Sequence, residues 1–380
     1  MTVTESPELA PPPDRLPPMD TAARLPRLRD RLDDAGCDGV VVSDLTNVRY
    51  LTGFTGSAGL VLVSADRTVF VTDGRYRDRS AEELAAAGVE ADIHIVAAGP
   101  DEAIASAAAD GGVLRLGLEA DAVTWTQQRR WSSELFSTGE LVATSGLVEE
   151  LRLVKDAGEV ARIRSACAIA DAALEKVRHR LADEPTEADF AALLDATMRE
   201  LGASDVSFET IVASGPNGAK PHHTPSERVI TDGDLVVIDF GALVDGYHSD
   251  MTRTVAVGDV GAERIRMLDV VLAAQDAGVR AVTAGVDAAD VDKACREVIE
   301  EAGWGEAFLH STGHGVGLHI HEEPRVGARS AATLDAGQVV TVEPGVYLTG
   351  LGGVRIEDTV LVTDGGCDRL TLAPKDPILA

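Results

Sequence analysis

Four carboxylates and one histidine are the residues of this sequence best suited to do chemistry, and two of the carboxylates lie in one hairpin-like stretch. Asp239 ends the continuously apolar run Leu235–Ile238, and Asp250 follows beyond an Asp245-Gly246 turn signal. Such a run is typical of a strand buried on both faces, where an unpaired carboxylate is costly. In an antiparallel pair, Asp239 and Asp250 would face each other with Cβ atoms roughly 5 Å apart. They would repel each other unless a cation lay between them, so the stretch predicts a metal site.

A second hairpin repeats this design. The apolar run Val339–Glu343 again ends in a carboxylate, a glycine-rich turn follows around Gly350, and Glu357 lies on the returning strand. Glu343 and Glu357 are symmetric about Gly350. Two predicted helices precede the hairpin in both halves, so we infer an internal duplication with pseudo-twofold symmetry. The duplication would bring all four carboxylates to the seam between the halves.

The histidine lies between the hairpins, in Gly313-His314-Gly315-Val316-Gly317, where the glycines allow close approach of the backbone. Taken singly, a carboxylate at a strand end is usually a cap or turn residue, and a histidine beside glycine is more often structural than a ligand. Four carboxylates with one imidazole, in a duplicated frame, instead favour two divalent ions. Two ions about 3.5–4 Å apart can hold a shared hydroxide and polarise a carbonyl, which is the chemistry of hydrolysis.

The elements that must hold these residues fall into two regions. From Thr21 to Glu150, predicted strands and helices alternate, which is typical of an α/β domain. The proline-rich residues 1–20 before it predict a disordered tail. Strands of this domain are predicted at residues 39–43, 60–64, 68–72, 93–96 and 116–119, and helices at residues 24–36 and 81–87.

The second region, residues 155–375, combines long helices with the two hairpins. Apolar residues of its first helix recur every three or four positions, which predicts one buried face. Helices are predicted at residues 157–181, 186–202, 263–284 and 288–302, and strands at residues 208–213 and in the hairpins at residues 235–257 and 339–362.

Composition excludes several classes of function. The net charge of −29 argues against binding to nucleic acid or to an anionic membrane, because both are polyanions. No run of about 18 apolar residues predicts a membrane span, and no signal peptide is predicted at the N-terminus. The four cysteines are far apart and fit no paired motif, which is typical of reduced thiols in a cytoplasmic protein.

These motifs resemble those of the pita-bread metallopeptidase family, which includes methionine aminopeptidase, aminopeptidase P and prolidase. The resemblance covers residues 155–375, while residues 21–150 resemble the N-terminal domain of the aminopeptidase P and prolidase branch, notably at residues 47–57 and 72–76. It implies a creatinase/prolidase-type α/β N-terminal domain, with a mixed sheet and flanking helices, followed by an α+β pita-bread catalytic domain with pseudo-twofold symmetry. The motifs that carry the resemblance are Ile238-Asp239-Phe240-Gly241, Ser249-Asp250-Met251-Thr252-Arg253-Thr254, Gly313-His314-Gly315-Val316-Gly317, Val342-Glu343-Pro344-Gly345 and Arg355-Ile356-Glu357-Asp358-Thr359.

The family's metal ligands correspond to five residues of this sequence. The resemblance implies that Asp250 and Glu357 bridge two divalent ions. It implies that Asp239 binds one of the ions, and that His314 and Glu343 bind the other.

The same resemblance implies a set of catalytic residues. Glu343 would also shuttle a proton. His222 would face the substrate, and His321 would stabilise the oxyanion. His310 would line the proline pocket, and Arg355 would lie beside the metal-binding carboxylates.

The activity implied is that of an Xaa-Pro aminopeptidase or Xaa-Pro dipeptidase, which hydrolyses the bond between an N-terminal residue and a following proline through a metal-bridging hydroxide. Two alternatives stay open: a creatinase-like hydrolase of a small amide, and a catalytically silent binding module. Manganese is the expected metal, with cobalt, zinc and iron as alternatives. The expected partners are a proline-containing di- or oligopeptide and a second copy of the chain in a homodimer. Substrate length stays open, and so does the role of His319, where many relatives carry an acidic residue.

Overall fold

The computed structural model describes residues 15–137 and 139–378. The described chain divides into two compact units, one formed by residues 19–152 and the other by residues 153–378 with residues 15–18. Most of the predicted N-terminal tail lies outside the described residues. Within them, Leu16 packs against a core of the second unit, and Arg162 donates a hydrogen bond to the carbonyl of Pro17. Residues 16 and 17, within the predicted tail of residues 1–20, therefore contact the second unit.

The first unit is built on one mixed sheet, as predicted, but the sheet has six strands, because the strand at residues 140–144 was absent from the five predicted. Its order is β4-β3-β2-β1-β5-β6. The central strands β1 to β3 pair antiparallel, and β4, β5 and β6 add in parallel. The strands are β1 (Gly39–Val42), β2 (Leu60–Ser64), β3 (Thr68–Asp73), β4 (Asp92–Val96), β5 (Arg115–Glu119) and β6 (Glu140–Thr144).

Six α-helices flank this sheet in the described residues, and the sequence prediction contained only two of them, at residues 24–36 and 81–87. The six helices are α1 (Arg24–Arg29), α2 (Leu45–Thr52), α3 (Arg77–Ala86), α4 (Pro100–Asp110), α5 (Trp125–Arg130) and α6 (Glu149–Arg152). The side chain of Asp44 caps α2, and Gly53 ends the helix with a φ of 74°. The helix predicted at residues 24–36 ends at Arg29, because the amides of Arg31 and Leu32 bond to carbonyls three residues back and form tight turns.

The second unit contains four long helices and thirteen strands among its described residues. The helices are α7 (Ala157–Val177), α8 (Glu187–Glu200), α9 (Ala262–Ala281) and α10 (Ala288–Glu301). The strands are β7 (Asp205–Val206), β8 (Ile211–Ser214), β9 (Leu235–Phe240), β10 (Ala242–Val244), β11 (Tyr247–His248), β12 (Met251–Ala256), β13 (Gly313–Gly315), β14 (Glu322–Val326), β15 (Val339–Val342), β16 (Gly345–Leu348), β17 (Gly352–Arg355), β18 (Asp358–Thr363) and β19 (Gly366–Arg369).

The inferred duplication is visible in how these elements pack. The pair α7 and α8 covers the sheet β12-β9-β8 around one apolar core. The pair α9 and α10 shares a second core with strands of the sheet β14-β13-β15-β18-β19 and of the ribbon β16-β17. Each half therefore buries its own helix pair, and the carboxylate-bearing ends of the hairpins meet between the two cores.

The first hairpin has a different register from the one predicted. Asp245 and Gly246 both have positive φ, 47° and 76°, which is the two-residue turn that matches strand twist. This turn pairs Val244 with Tyr247, and the same count places Thr252 opposite Asp239. The prediction that Asp250 directly faces Asp239 is therefore wrong. Asp250 lies two residues closer to the turn, on the diagonal, from which its carboxylate still reaches that of Asp239.

The second hairpin has the predicted symmetry. Gly345 pairs with Arg355 and Val342 with Asp358, so both ladders are centred on Gly350.

None of the helices in the described part of the chain combines the length and the apolar character that crossing a bilayer requires.

Candidate metal centre

Strand ends deliver the five predicted ligands to one place. Asp239 lies near the end of β9, and Asp250 immediately precedes β12. His314 is the middle residue of β13, Glu343 follows β15, and Glu357 joins β17 to β18. The first two residues come from one half of the duplication and the last two from the other, so the site forms only when the halves pack.

Three of the carboxylates form a cluster that is suited to a cation. One oxygen from each of Asp239, Asp250 and Glu357 lies within 4.8 Å of the other two. Oδ1 of Asp239 and Oε1 of Glu357 are buried and accept no hydrogen bond in the described structure. Buried carboxylate oxygens without donors are costly, so their convergence is explained if cations supply the missing contacts.

His314 and Glu343 extend this cluster on one side. Nε2 of His314 lies 3.3 Å from Oε1 of Glu343 and 3.5 Å from Oδ2 of Asp250. Nδ1 of the same ring lies 3.0 Å from the carbonyl oxygen of Gly315, to which its proton is donated. This bond fixes the ring so that Nε2 points toward the carboxylates and is available to a metal ion.

Two threonines, Thr252 and Thr341, orient three of the predicted ligands through hydrogen bonds. Thr252 donates a 2.8 Å hydrogen bond to Oε2 of Glu357. The hydroxyl of Thr341 accepts from the backbone amide of His314 and donates to Oε1 of Glu343, at 3.1 Å in each case. Because side chains alternate along a strand, Thr252 shares a face with Asp250, and Thr341 with Glu343. That alternation is the signal by which the sequence could have identified both threonines.

Arg355 joins the two halves beside the cluster. Its guanidinium is buried and donates to Oδ2 of Asp239, to the hydroxyl of Thr252 at 3.0 Å and to that of Tyr347 at 2.9 Å. The ion pair with Asp239 occupies one carboxylate oxygen and leaves Oδ1 facing the cluster. Arg355 thus orients Asp239.

The protonation of the cluster reflects crowding of acids in a buried site. Burial, followed by repulsion from neighbouring carboxylates, raises the pKa of Asp250 and Glu357 well above the ordinary carboxyl range. Burial also raises the pKa of Asp239. Burial opposes ionisation of Glu343 too, but contact with His314 outweighs it and lowers the pKa to about 2. The site therefore favours either bound protons or bound cations on Asp250 and Glu357.

One cavity of about 810 Å³ brings together all nine residues that the sequence singled out. The five ligands form one part of its lining, and Arg355 lies beside them. The three remaining residues of the set also line it: His222, His310 and His321. His319 is exposed and is not part of the lining, so nothing in the geometry makes it a ligand.

The histidines of the cavity are oriented by their neighbours. The rings of His314 and His321 meet edge to face, with centroids 4.4 Å apart. Burial lowers the pKa of His310 and, with repulsion from His314, that of His321. Both rings are therefore neutral near pH 7, and each has one N–H to donate and one nitrogen to accept.

The sequence analysis missed several residues that line the cavity or lie beside it. Tyr347 is buried beside Arg355 and His310, and burial raises its pKa. No motif marks it, although it follows Glu343 closely in the same hairpin. The apolar wall of the cavity is also new, because its residues come from separate segments with no common pattern: Val206, Phe208, Ile211, Pro221, Pro225 and Ile320.

Comparison with known proteins places both units in described families. The family model of Peptidase_M24, metallopeptidase family M24, matches residues 161–364. The model of Creatinase_N, the creatinase/prolidase N-terminal domain, matches residues 24–154. Together the two matches span nearly the whole described chain.

Individual relatives agree with these matches over their full length. The chain is 39% identical to an uncharacterised peptidase, YqhT, of Bacillus subtilis over 358 residues, which is 94% of this chain and 99% of the relative. The structure of this chain superimposes on that of an Xaa-Pro dipeptidase from Bacillus anthracis with a TM-score of 0.91. The two sequences are 40% identical, and the match covers 94% of this chain and 100% of the relative. An X-Pro aminopeptidase from Thermotoga maritima gives a TM-score of 0.84 and 35% identity, covering 92% and 99%.

Proposed function

Because the chain belongs to metallopeptidase family M24, with a creatinase/prolidase N-terminal domain and a pita-bread catalytic domain, we propose that it is an Xaa-Pro peptidase that hydrolyses the bond between an N-terminal residue and a following proline. The observation that carries the proposal is one cavity lined by both the acidic cluster and five histidines, among them His222, His310 and His321. Solved relatives that are named for Xaa-Pro cleavage support the choice of substrate.

The family implies a dinuclear metal site, and the residues present fit one. Asp250 and Glu357 would hold the ions, because their buried carboxylates lie within the cluster. Asp239 would complete one position, and His314 with Glu343 the other. When bound, two divalent ions polarise a carbonyl and lower the pKa of water.

Glu343 is the proposed proton carrier. Its pKa of about 2 makes it an anion near neutral pH, so it can accept a proton from the attacking water. It would deliver that proton to the prolyl nitrogen, which must gain a proton before it can leave as an amine. Thr341 holds Oε1 of Glu343 and so fixes the carboxylate for this transfer.

His321 is the proposed partner of the oxyanion. As a neutral ring it can donate its N–H to the carbonyl oxygen as negative charge develops there, and one such donor is typically worth about 3 kcal/mol. His222 would face the substrate. His310, held by the hydroxyl of Tyr347, would line the pocket of the proline ring.

Proline explains why a dedicated enzyme is needed. The bond before proline is a tertiary amide without an N–H, and the ring fixes φ near −65°. A peptidase that binds its substrate through a hydrogen bond from that N–H cannot form this bond with a prolyl peptide. The cavity instead offers an apolar wall, including Phe208 and Ile320, beside the acidic cluster.

A substrate series on metal-reconstituted protein tests the proposal. Ala-Pro, Ala-Pro-Ala, Ala-Ala and creatine are each incubated with protein reloaded with manganese, cobalt, zinc or iron. We expect cleavage of at least one prolyl peptide, and none of Ala-Ala or creatine. Turnover of creatine would indicate a small-amide hydrolase, and no turnover of any substrate would indicate a silent binding module. Relative rates on Ala-Pro and Ala-Pro-Ala decide between dipeptidase and aminopeptidase.

Three further proposals accompany this function. Manganese is the proposed metal, because oxygen-rich donor sets with one imidazole suit hard divalent ions. A homodimer is the proposed assembly, which sedimentation of the purified protein will measure. A cytoplasmic location is proposed because the four cysteines are free thiols, which persist in a reducing compartment.

A further inference from the structure

A buried ion pair between Lys155 and Glu322 lies beside the turn that carries His321. Nζ of Lys155 lies 3.0 Å from Oε2 of Glu322, and the two side chains are only 1% and 7% exposed. Glu322 directly follows His321 in the chain and begins β14. The pair is outside the metal ligands and outside the lining of the cavity, so the proposed reaction gives it no role.

The carboxylate of Glu322 fills the turn that carries His321. Its Oε1 accepts a 3.0 Å hydrogen bond from the backbone amide of His319. A methyl group on Gly317 would lie 2.6 Å from Oε2, so the glycine backbone closes directly over the carboxylate. The amide of Gly317 also bonds the carbonyl of His319 at 3.1 Å. The turn from Gly317 to Glu322 is therefore wrapped around one carboxylate.

Lys155 fixes that carboxylate to the rest of the catalytic unit. Its Nζ also donates to the carbonyl of Leu153 at 3.4 Å. Its backbone amide donates a 2.9 Å bond to the carbonyl of Gly337, in the turn that leads into β15 and Glu343. One residue thus contacts the turn that precedes the proposed proton carrier and the turn that carries the proposed oxyanion donor.

The energetics of such pairs favour a positioning role over a stabilising one. Removing two charges from water costs about as much as their attraction returns, and apolar replacements of a buried pair are often neutral or stabilising. Loss of one partner is harmful, because it leaves a buried charge without compensation. The turn that contains this pair also carries His321, whose ring meets that of His314 edge to face with centroids 4.4 Å apart.

We propose that Lys155 is a positioning residue that, through Glu322, holds the ring of His321 at the place where it meets the substrate oxyanion. The inference rests on the proposed function for the role of His321. The geometric part, that Lys155 controls the His321 ring, stands without it.

Kinetics of Lys155→Met test the catalytic part. Because a misplaced donor weakens transition-state binding and leaves substrate binding largely intact, we expect kcat for a prolyl peptide to fall about 10- to 100-fold while KM changes less than about threefold. Lys155→Arg keeps the charge and should recover part of kcat. A kcat within about twofold of wild type in Lys155→Met would overturn the inference.

A double-mutant cycle separates positioning from a general structural effect. If Lys155 acts through His321, Lys155→Met should cost little further kcat in a His321→Ala background. An undiminished loss in that background would show that Lys155 acts elsewhere. Lys293→Met is the matched control, because Lys293 forms an exposed pair with Glu297 at 3.8 Å, and it should leave kcat unchanged.

A paired variant covers the case in which Lys155→Met does not fold. Lys155→Met with Glu322→Leu removes both charges and leaves none uncompensated, so we expect it to fold. Its turn has lost the acceptor for the amide of His319, so kcat should remain low. Wild-type kcat in the folded paired variant would show that the pair does not position His321.

Histidine ring NMR gives a readout that is independent of turnover. In metal-free protein labelled with ¹⁵N-histidine, the ring signals of His321 should shift or broaden in Lys155→Met or the paired variant, while those of His94 in the first unit stay fixed. Unmoved His321 signals would refute the geometric inference. If wild-type protein cleaves no prolyl peptide, the proposed function fails, and this spectrum still decides whether Lys155 positions the ring.

Discussion

Nε2 of His310 lies 2.9 Å from the hydroxyl oxygen of Tyr347, and Arg355 donates to the same oxygen at the same distance. Tyr347 therefore accepts from the guanidinium and donates to the imidazole. Its hydroxyl links the residue that orients Asp239 to a histidine of the substrate cavity.

Replacing Tyr347 with phenylalanine should weaken catalysis and stability together. The change removes the hydroxyl that accepts from Arg355 and donates to His310, and leaves Nε2 of His310 without that donor, which typically costs about 1–3 kcal/mol. We expect a kcat several-fold lower on a prolyl peptide, and a lower midpoint in urea unfolding. Tyr76→Phe is the control, because that hydroxyl is exposed and bonds only Ser57 in the described structure. Equal effects of the two changes would count against a role for Tyr347.

Removal of a central ligand should abolish metal-dependent turnover. We expect Asp250→Ala and His314→Ala each to reduce the number of tightly bound divalent ions measured by calorimetric titration, and to lose activity on Ala-Pro and Ala-Pro-Ala. His319→Ala should keep both properties, because His319 is exposed and lies outside the cavity lining. Near wild-type turnover after loss of Asp250 or His314 would refute the ligand assignment.

The metal-free protein should lose stability as the pH rises. The pKa values of Asp250 and Glu357 are raised in the folded state, so the folded chain holds protons that the unfolded chain has released. Their contribution is therefore fully present below an ordinary carboxyl pKa of about 4 and is lost as pH rises through the raised values. Urea unfolding in the presence of a chelator should show this decline, and Asp250→Asn should flatten it.

Divalent ions should reverse that trend. They compete with protons for the same oxygens, so their stabilising effect should grow as pH rises toward the raised pKa values and level off above them. The measurement is the shift in urea midpoint on adding manganese at several pH values. A shift that does not depend on pH would contradict the account.

Glu187 accepts several hydrogen bonds from residues 214–226, the segment that contains His222. Its buried carboxylate accepts hydrogen bonds from the backbone amides and hydroxyls of Ser214 and Ser226 and from the side chains of Asn217 and His223. Burial opposes ionisation, but these donors outweigh it and lower the pKa of Glu187 to about 2.

Glu187→Gln should therefore destabilise the protein in a pH-dependent way. A depressed folded-state pKa gives stability that is present above the unfolded value, 4.5, and is lost as pH falls toward about 2. The shift corresponds to about 3 kcal/mol at neutral pH. We expect the difference in unfolding free energy between wild type and Glu187→Gln to be largest near pH 7 and to shrink in acid. Glu200→Gln, at an exposed surface pair, should show no such trend.

Sequence patterns captured the residue types of the site but misplaced one pairing. The apolar runs that end in Asp239 and Glu343, and the glycines around His314, identified the five proposed ligands and the repeated halves. The register of the first hairpin depended on the φ angles of Asp245 and Gly246, which place Thr252 rather than Asp250 opposite Asp239. A shift of two positions keeps the same strand face, so the pattern could not detect it.

By itself, the sequence determined which chemistry this protein can do, because acids, imidazole and glycines at those spacings are local properties of the chain. Only the tertiary structure decided how that chemistry is supported. The hydroxyl of Tyr347, the donors around Glu187 and the pair of Lys155 with Glu322 join residues far apart in the chain. Such contacts arise from tertiary packing within and between the two halves, which depends on many side chains at once and leaves no periodic signal in the sequence.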